Sequence, residues 1–455
     1  MQDTKSISDL RKTGPPIHQP TIPTLLPVER WTLGNGLPVV AMGGIEAPVL
    51  RVEMIWNAGR PFEPQRLLAG ATNDLMAEGT RHRSAAGLER FFEQFGTRLV
   101  MPDLMDTGNL ALSTIHRRMG EVLPVMAEVI AEPAFDEENF TRFLRRRKQR
   151  LREGMSDNDT LAYRLITEAV FGSDNPYGYN GYPDGYDTLR LEDIRAYYQQ
   201  RFHAGNGTLM VIGNINEQVN RTLEATFGQL PAGPAAKASA PVFQSSQPGI
   251  IQLKRPRAQQ SMIRRGRRGV HIQHPDYPGL IVLDTIFGGY FGSRLMKNIR
   301  EEKGYTYGIE SDLDTYRLDG SFNVSADVAN ENLGNVRREI DLEAKKLRQD
   351  LIPEAELNMV RAYLGGSISM ELDGPFGHAF RYRSAIIKDY EPVRFLARLD
   401  DAIHHISASE LRDLAQRYLS PGDDWEVIVG GGPEIAGARL LTAEEISRPL
   451  GNCLT

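Results

Sequence analysis

The sequence predicts an α+β protein built from two homologous α/β-layered halves, a duplicated unit joined by a linker. The main observation is an internal repeat with a constant offset in residue number (352 − 135 = 217). Three pairs of segments share this offset: 135–140 with 352–357, 193–195 with 410–412, and 211–213 with 428–430. Because both parts also mix strand and helix patterns without strict βα alternation, the sequence favours layers of sheet and helix.

The spacing of apolar residues marks the individual elements. In the first half we predict strands over 37–42, 49–55 and 107–113, and a helix over 119–130. In the second half we predict a helix over 336–347. These elements supply both layers of the predicted fold.

Composition shifts along the chain predict its domain boundaries. Residues 1–24 are polar and proline-dotted, which indicates an extended N-terminal arm. Residues 25–235 are predicted to form the first half, with a degenerate catalytic motif discussed below. Residues 236–249 lie in a segment rich in proline, alanine and serine, and this composition is typical of a linker. Residues 250–455 would form the second half.

Charge and cysteine content exclude several classes of function. The net charge of −6 argues against a nucleic-acid partner held by bulk electrostatics. The single cysteine, Cys453, excludes an intramolecular disulfide and a cysteine-rich zinc site. No apolar run approaches the roughly 18 residues of a membrane span. The basic run at 145–150 is interpreted as a solvated helix face.

One segment of the second half carries a candidate substrate clamp. Arg300 and Tyr307 stand seven positions apart, just after a glycine-punctuated segment at 288–292. Ser293 is placed to cap a helix that leads to the arginine, and residues 305–307 have the aromatic and β-branched character of a strand start. A guanidinium at a helix end and a phenol on the next strand can converge on one peptide carbonyl.

Taken in order, these stretches resemble the pitrilysin/insulysin-type metallopeptidases, the inverted zincin family that includes the mitochondrial processing peptidase. The resemblance covers about residues 26–432. It is carried by the stretches at 31–39, 57–59, 78–80, 175–178 and 288–307. It implies two homologous α+β halves that dimerise around a large chamber enclosing a peptide substrate. It also implies that Arg300 and Tyr307 match an arginine and tyrosine pair that reaches across to the zinc site.

The family's zinc motif is degenerate in this chain. The resemblance implies an H-x-x-E-H helix, in which two histidines bind zinc and the glutamate activates the metal-bound water, followed by four residues and Gly-Thr. Counting back from Gly-Thr at 79–80 places the histidine positions on Gly70 and Asp74 and the glutamate position on Asn73. None of these side chains can take the roles that the family's histidines and glutamate have in binding zinc and activating water. We therefore predict that this chain binds no cofactor and that zinc lies in a partner subunit.

No other residues of the sequence replace the motif. Glu153 is near the position of the family's third zinc ligand, but without histidine partners it is interpreted as a surface residue. The spacing of His271 and His274 is closer to that of zinc ligands, but these residues belong to the other half. His404 and His405 are adjacent, so they would point to different faces of a helix.

Retention of the Arg/Tyr pair beside a lost zinc motif leads to a functional hypothesis. The chain is predicted to be the non-zinc subunit of a heterodimeric metallopeptidase, or of a dimer of heterodimers, that degrades or processes unfolded peptides. It would supply Arg300 and Tyr307 in trans for substrate and transition-state binding, and the isolated chain would be inactive. A periplasmic location is favoured because the polar start resembles a processed mature end, with a cytoplasmic location as the alternative.

Two other functions stay open. The main alternative is a catalytically inactive structural or peptide-holding protein, similar to the core subunits that this fold contributes to respiratory complexes. A third is a counterpart of the glycine-rich, zinc-free subunit of the mitochondrial processing peptidase. That subunit guides substrates with a long glycine-rich loop, and the segment at 288–292 is short by comparison.

Overall fold

Two six-stranded sheets, each formed by one half of the chain, organise the protein. The structure is a computed structural model that describes residues 20–102, 104–238 and 247–450. Most of the predicted arm, part of the predicted linker and Cys453 lie outside these residues. The predicted domain boundaries therefore stay predictions, whereas the α+β class with two similar halves is confirmed.

The first sheet has the spatial order β1-β2-β6-β3-β5-β4, and only β2 and β6 pair in parallel. Its strands are β1 (Glu29–Thr32), β2 (Pro38–Met42), β3 (Val49–Trp56), β4 (Leu99–Val100), β5 (Gly108–Ile115) and β6 (Gly207–Gly213). The second sheet has the order β12-β7-β11-β8-β10-β9. Its strands are β7 (Ile250–Lys254), β8 (Gln260–Arg268), β9 (Thr306–Thr315), β10 (Gly320–Ala329), β11 (Trp425–Gly430) and β12 (Arg439–Leu441).

Helices cover these sheets in a matching order. The first half contains α1 (Leu68–Met76), α2 (Ala85–Gln94), α3 (His116–Ala131), α4 (Glu137–Gly154), α5 (Asn158–Phe171), α6 (Pro183–Asp187), α7 (Leu191–Arg201) and α8 (Glu217–Thr226). The second half contains α9 (Tyr277–Phe287), a π-helix (Met296–Glu302), α10 (Leu333–Gln349), α11 (Glu354–Glu371), α12 (Gly374–Lys388), α13 (Pro392–His405) and α14 (Ala408–Tyr418). The predicted strands and helices all occur, with ends within a few residues of those expected.

The repeat seen in the sequence is a repeat of helices. Helices α4 and α11 each contain 18 residues, and their first residues are separated by the offset of the repeat (354 − 137). Helices α7 and α14 each contain 11 residues and begin at the same offset (408 − 191). Side-chain caps define some of these starts: Asp136 accepts a hydrogen bond from the backbone of Asn139 at 2.8 Å, and Ser407 forms a capping box with Glu410.

The two halves exchange one helix each. The apolar face of α5, a helix of the first half, packs against β8 and β11 of the second sheet. Reciprocally, α12 of the second half packs against β2 and β6 of the first sheet. Burial of apolar side chains is the main favourable term in folding. Each sheet therefore depends on the other half for part of its core.

Candidate active site

The chain between the glycine segment and β9 places Arg300 and Tyr307 together. Leu295 and Ile299 are fully buried and anchor the π-helix, so that Arg300 follows on its outer side. Gly304 has a φ of +64°, a conformation that glycine adopts without strain, and it turns the chain into β9. The predicted helix is present, but as a π-helix, a form often found at functional sites.

Two aromatic rings flank the guanidinium group of Arg300. Its Cζ lies 4.9 Å from the ring centroid of Phe291 and 5.6 Å from that of Tyr307. Tyr307 is 88% exposed and Phe291 is 60% exposed, so the cluster faces solvent. Among the described residues, no carboxylate forms an ion pair with Arg300. Its donors, together with the Tyr307 hydroxyl, are available for a peptide group. Sequence reasoning did not identify Phe291.

A buried carboxyl group supports the glycine segment next to this cluster. The Oδ1 atom of Asp284 accepts a hydrogen bond from the Ser311 hydroxyl at 2.5 Å, and its backbone carbonyl accepts from the amides of Gly288 and Gly289. A Cβ added at Gly289 would lie 2.8 Å from Asp284 Oδ2. Burial, together with the nearby charge of Asp312, raises the pKa of Asp284 from 3.8 to about 7 against the effect of the Ser311 hydrogen bond.

We expect Asp284→Asn to stabilise the protein at alkaline pH. A carboxyl whose pKa is raised on folding lowers stability progressively as pH rises from its unfolded pKa to its folded pKa, here from about 4 to about 7. A shift of about three units corresponds to about 4 kcal/mol, and partial contact with solvent reduces our expectation to about 2 kcal/mol. Urea unfolding of both proteins between pH 4 and pH 8 measures the difference.

The gain from Asp284→Asn should be small near pH 4 and reach its full size above pH 7. Asp184→Asn, at an exposed position of the other half, is the control for removal of one negative charge. A gain that is the same at all pH values would contradict the raised pKa.

The degenerate motif lies on α1 in the other half. Gly70 is exposed, and a Cβ there would meet nothing within 4 Å, so the histidine position is open space. Asn73 is buried, and its Oδ1 accepts a hydrogen bond from the Asn109 amide at 2.9 Å. Asp74 forms an ion pair with Arg147 of α4. Asn73, at the glutamate position, therefore makes a structural hydrogen bond, and Asp74, at the second histidine position, is held in an ion pair.

These residues do not fit a zinc ion. Arg147 places a positive charge at Asp74, where the family's motif would have a neutral imidazole. Glu153 is exposed on α4. Within the described ranges, no group of three or more His, Cys, Asp or Glu side chains has a metal-binding arrangement. His271 and His274 instead accept backbone hydrogen bonds through Nδ1.

The interpretation of the run 145–150 as a solvated helix face is wrong for part of it. Besides the Arg147 pair, Arg146 forms an ion pair with Glu78, and Lys148 forms one with Asp187. These side chains attach α4 to neighbouring elements. Burial lowers the pKa of Arg147, as expected for a cation removed from water.

Restoring the two histidines alone is not expected to restore zinc binding. In the Gly70→His/Asp74→His variant, Arg147 loses its ion-pair partner, and its positive charge would repel a bound zinc ion. A third zinc ligand is also missing. We expect no stoichiometric zinc by mass spectrometry of metal content after dialysis. Adding Arg147→Glu would replace the cation with a carboxylate and should increase zinc retention. One equivalent of zinc in the double variant would contradict this account.

A buried polar network connects the degenerate motif to the second half. Asn109 Nδ2 donates to Glu53 Oε1 at 3.0 Å, and the Arg383 guanidinium of α12 binds both oxygens of Glu53 at 2.7–2.9 Å. Burial alone would raise the pKa of Glu53, but the hydrogen bonds and charges of Arg383 and Arg51 hold it below its ordinary value. Sequence reasoning missed this network because its partners lie 330 residues apart.

The stretches at 57–59 and 175–178 also meet the second half. Arg317 Nη1 donates to Asn57 Oδ1 at 2.6 Å, and its backbone amide donates to Asp106 Oδ2 at 2.9 Å. The ring of Tyr177 stacks on that of Tyr316 with centroids 4.4 Å apart, while its hydroxyl donates to Asp106 Oδ1 at 2.7 Å. These two stretches therefore connect the first half to the second half, and the interactions described for them do not involve the Arg300 cluster.

Comparisons with known proteins agree with this architecture. A family model described as the peptidase M16 inactive domain matches residues 188–364. The protein named probable inactive metalloprotease YmfF, from Bacillus subtilis, is 22% identical over 427 residues, which cover 84% of this chain and 97% of that protein. M16 is the pitrilysin/insulysin-type family.

Solved structures share the fold at low sequence identity. The crystal structure of a peptidase M16 inactive domain from Pseudomonas fluorescens is 20% identical, covers 90% of this chain and 99% of that chain, and has a TM-score of 0.80. The periplasmic protease PqqL from Escherichia coli is 15% identical with a TM-score of 0.71, over 93% of this chain but 48% of PqqL.

The described part of the chain has no helix that is both long and apolar enough to cross a membrane. The family model matches a part of the chain that does not include α1, and the solved structures agree with the fold. The chain is thus similar to the pitrilysin/insulysin-type family of inverted zincins, and it has Gly70, Asn73 and Asp74 at the positions of the zinc-binding motif.

Proposed function

We propose that this chain is the zinc-free subunit of a heterodimeric metallopeptidase. The proposal rests mainly on the cluster of Arg300 and Tyr307, which faces solvent. The same chain has Gly70, Asn73 and Asp74 at its own zinc-motif positions. A partner subunit with an intact H-x-x-E-H helix would supply zinc and the activated water.

In this proposal the two side chains act on the substrate peptide. Attack of water on a peptide carbonyl produces a tetrahedral oxyanion, and the Tyr307 hydroxyl would donate a hydrogen bond to it. The Arg300 guanidinium would bind a flanking carbonyl and fix the register of the peptide. Phe291 would hold the guanidinium plane through its ring without occupying its hydrogen-bond donors.

Reconstitution tests the proposal. The chain is purified alone and together with the H-x-x-E-H homologue from the same genome, and cleavage of an unfolded fluorogenic peptide is measured. We expect no activity from this chain alone and zinc-dependent activity from the mixture, with a heterodimeric mass by light scattering. The control is the mixture in which the partner's motif glutamate is glutamine. Activity of this chain alone would overturn the proposal.

A second candidate is a non-catalytic, peptide-holding protein. The name probable inactive metalloprotease, given to YmfF, and the match to an inactive-domain model favour it. It predicts peptide binding by the chain without any gain of cleavage when zinc-bearing homologues are added. The same reconstitution distinguishes the two functions.

For the location of the protein, we propose the periplasm, with the cytoplasm as the alternative. The likeness in fold to a periplasmic protease supports this. Osmotic-shock fractionation of the native host, followed by immunoblotting, tests it; recovery only with cytoplasmic markers would contradict it.

A further inference from the structure

A cavity of about 360 Å³ lies at one end of the second sheet, on the face that α10 covers. Its sheet wall is formed by the last residues of β8 and the first residues of β10 and β11. The other walls are formed by α10 and by the segment 419–422, which follows α14. A volume of this size is typical of small-molecule sites. No residue of the Arg300 cluster is among the described residues that line the cavity.

One part of the cavity wall is apolar. The rings of Phe287 and Phe322 stack there with centroids 6.1 Å apart, and Ile340, Ala344 and Leu419 complete the surface. Phe287, Ile340 and Leu419 are buried, so this surface belongs to the core of the second half. It suits the aromatic or aliphatic body of a small molecule.

The other part of the wall has four arginines and three carboxylates. The ion pairs between them are Arg265 with Asp341, Arg267 with Asp424 and Arg337 with Glu426. The fourth arginine, Arg348, lies in the last turn of α10 and is half-buried. Within the part of the chain that the structure describes, no carboxylate pairs with Arg348. The lining therefore has one positive charge in excess (4 − 3).

Arg265 provides a buried donor to the same cavity. Its side chain is 8% exposed, and its Nε atom has no hydrogen-bond partner among the described residues. A buried donor without a partner is unfavourable, so a ligand that accepts a hydrogen bond from it gains affinity. Burial opposes the charge of Arg265, but the nearby Glu426 and the hydrogen bond with Asp341 raise its pKa, so the guanidinium group stays charged.

We propose that this cavity binds a small monocarboxylate with an aromatic or branched aliphatic body. The carboxylate accepts hydrogen bonds from Arg348 and from Arg265 Nε, and the body lies on the rings of Phe287 and Phe322. A phosphate group has nearly two negative charges and no apolar body, so it matches neither the single excess charge nor the aromatic surface. This binding function is separate from the proposed peptidase role, and the isolated chain is sufficient for it.

Calorimetric titration of the full chain with hydrocinnamate, a phenyl ring joined to a carboxylate by a short methylene chain, tests the proposal. Hydrocinnamamide keeps the body without the charge, and acetate keeps the charge without the body. We expect saturable binding of hydrocinnamate and at least about tenfold weaker binding of each comparison probe, because a charged hydrogen bond and apolar burial each contribute at least that factor. Absence of saturable hydrocinnamate binding, or equal affinity for either comparison probe, would overturn the proposal.

Two variants locate the site. Arg348→Gln should weaken hydrocinnamate binding at least about tenfold, since it removes the unpaired charge. Ala344→Phe should weaken it as well, because the larger side chain fills part of the cavity. The matched control is Lys345→Gln, which removes an exposed cation of the same helix outside the cavity and should keep the affinity. Unchanged affinity in Arg348→Gln, or an equal loss in Lys345→Gln, would contradict the assignment to this cavity.

Thermal unfolding gives a second readout. A ligand that binds only the folded chain raises the midpoint of unfolding as its concentration increases. We expect this shift with hydrocinnamate and not with hydrocinnamamide at the same concentration. The midpoint of the Arg348→Gln variant without ligand shows whether that variant is folded, and its ligand-induced shift should be lost. A shift of the same size in Arg348→Gln would mean that the probe binds elsewhere, and the assignment would be wrong.

Discussion

Replacing Tyr307 by phenylalanine in the reconstituted peptidase is expected to lower kcat by about 10²–10³, with a much smaller change in KM. Loss of one donor to an oxyanion typically costs about 2.7–4 kcal/mol in the transition state. The substitution keeps the ring that contacts Arg300 at 5.6 Å, so the guanidinium stays in place. Steady-state kinetics on an unfolded peptide provide the measurement.

The chain offers a matched control for this substitution. Tyr305 is two residues away and half-buried, so Tyr305→Phe removes a hydroxyl from the same segment without touching the exposed cluster. It should keep near-normal kcat. Arg300→Ala should instead raise KM as well as lower kcat, because the guanidinium group also binds carbonyls of the substrate before it reacts. An unchanged kcat in Tyr307→Phe would remove Tyr307 from the reaction.

Replacing Arg383 by methionine is expected to destabilise the protein by about 3–5 kcal/mol. The substitution leaves the Glu53 carboxylate, which is 1% exposed, without the partner that binds both of its oxygens. In the native protein the pKa of Glu53 is lowered, so the stabilisation is present at neutral pH and is lost as pH falls below about 4.5. Denaturant unfolding at pH 7 and pH 5 measures the effect.

The pH dependence identifies the cause. Without Arg383, burial raises the pKa of Glu53, so the deficit of the variant should shrink toward pH 5. Arg51 contacts Glu53 through one hydrogen bond at 3.1 Å, whereas Arg383 makes three, so Arg51→Met is the control and should cost less. Adding Glu53→Gln to the Arg383 variant should recover part of the loss. A deficit that is independent of pH would point to lost packing instead.

The sequence was sufficient for the fold class because the helices of the two halves kept their lengths. The offset of the repeat applies from α4 to the end of β6 and from α11 to the end of β11. It does not apply to the earlier strands, since β3 and β8 begin at a smaller offset (260 − 49). Different loop lengths before α4 and α11 therefore hid the similarity of the strands.

The site was only partly predictable. The proximity of Arg300 and Tyr307 follows from a local segment, so spacing was enough to suggest it. The pairing of Arg147 with Asp74 was not foreseen, because a basic run on a helix is ordinarily solvated and nothing local indicates its partner. The contact of Glu53 with Arg383 depends on tertiary packing between the halves, and no local pattern carries that information.

The exchanged helices give the half with the degenerate motif a structural role. Helix α5 belongs to the half with the degenerate motif, yet it completes the core beneath β8 and β11, in the sheet that also contains β9 and Tyr307. Deleting the first half would leave that sheet uncovered and would destabilise the strand that presents the tyrosine. The half with the degenerate motif is therefore a structural complement of the other half, independent of any zinc chemistry of its own.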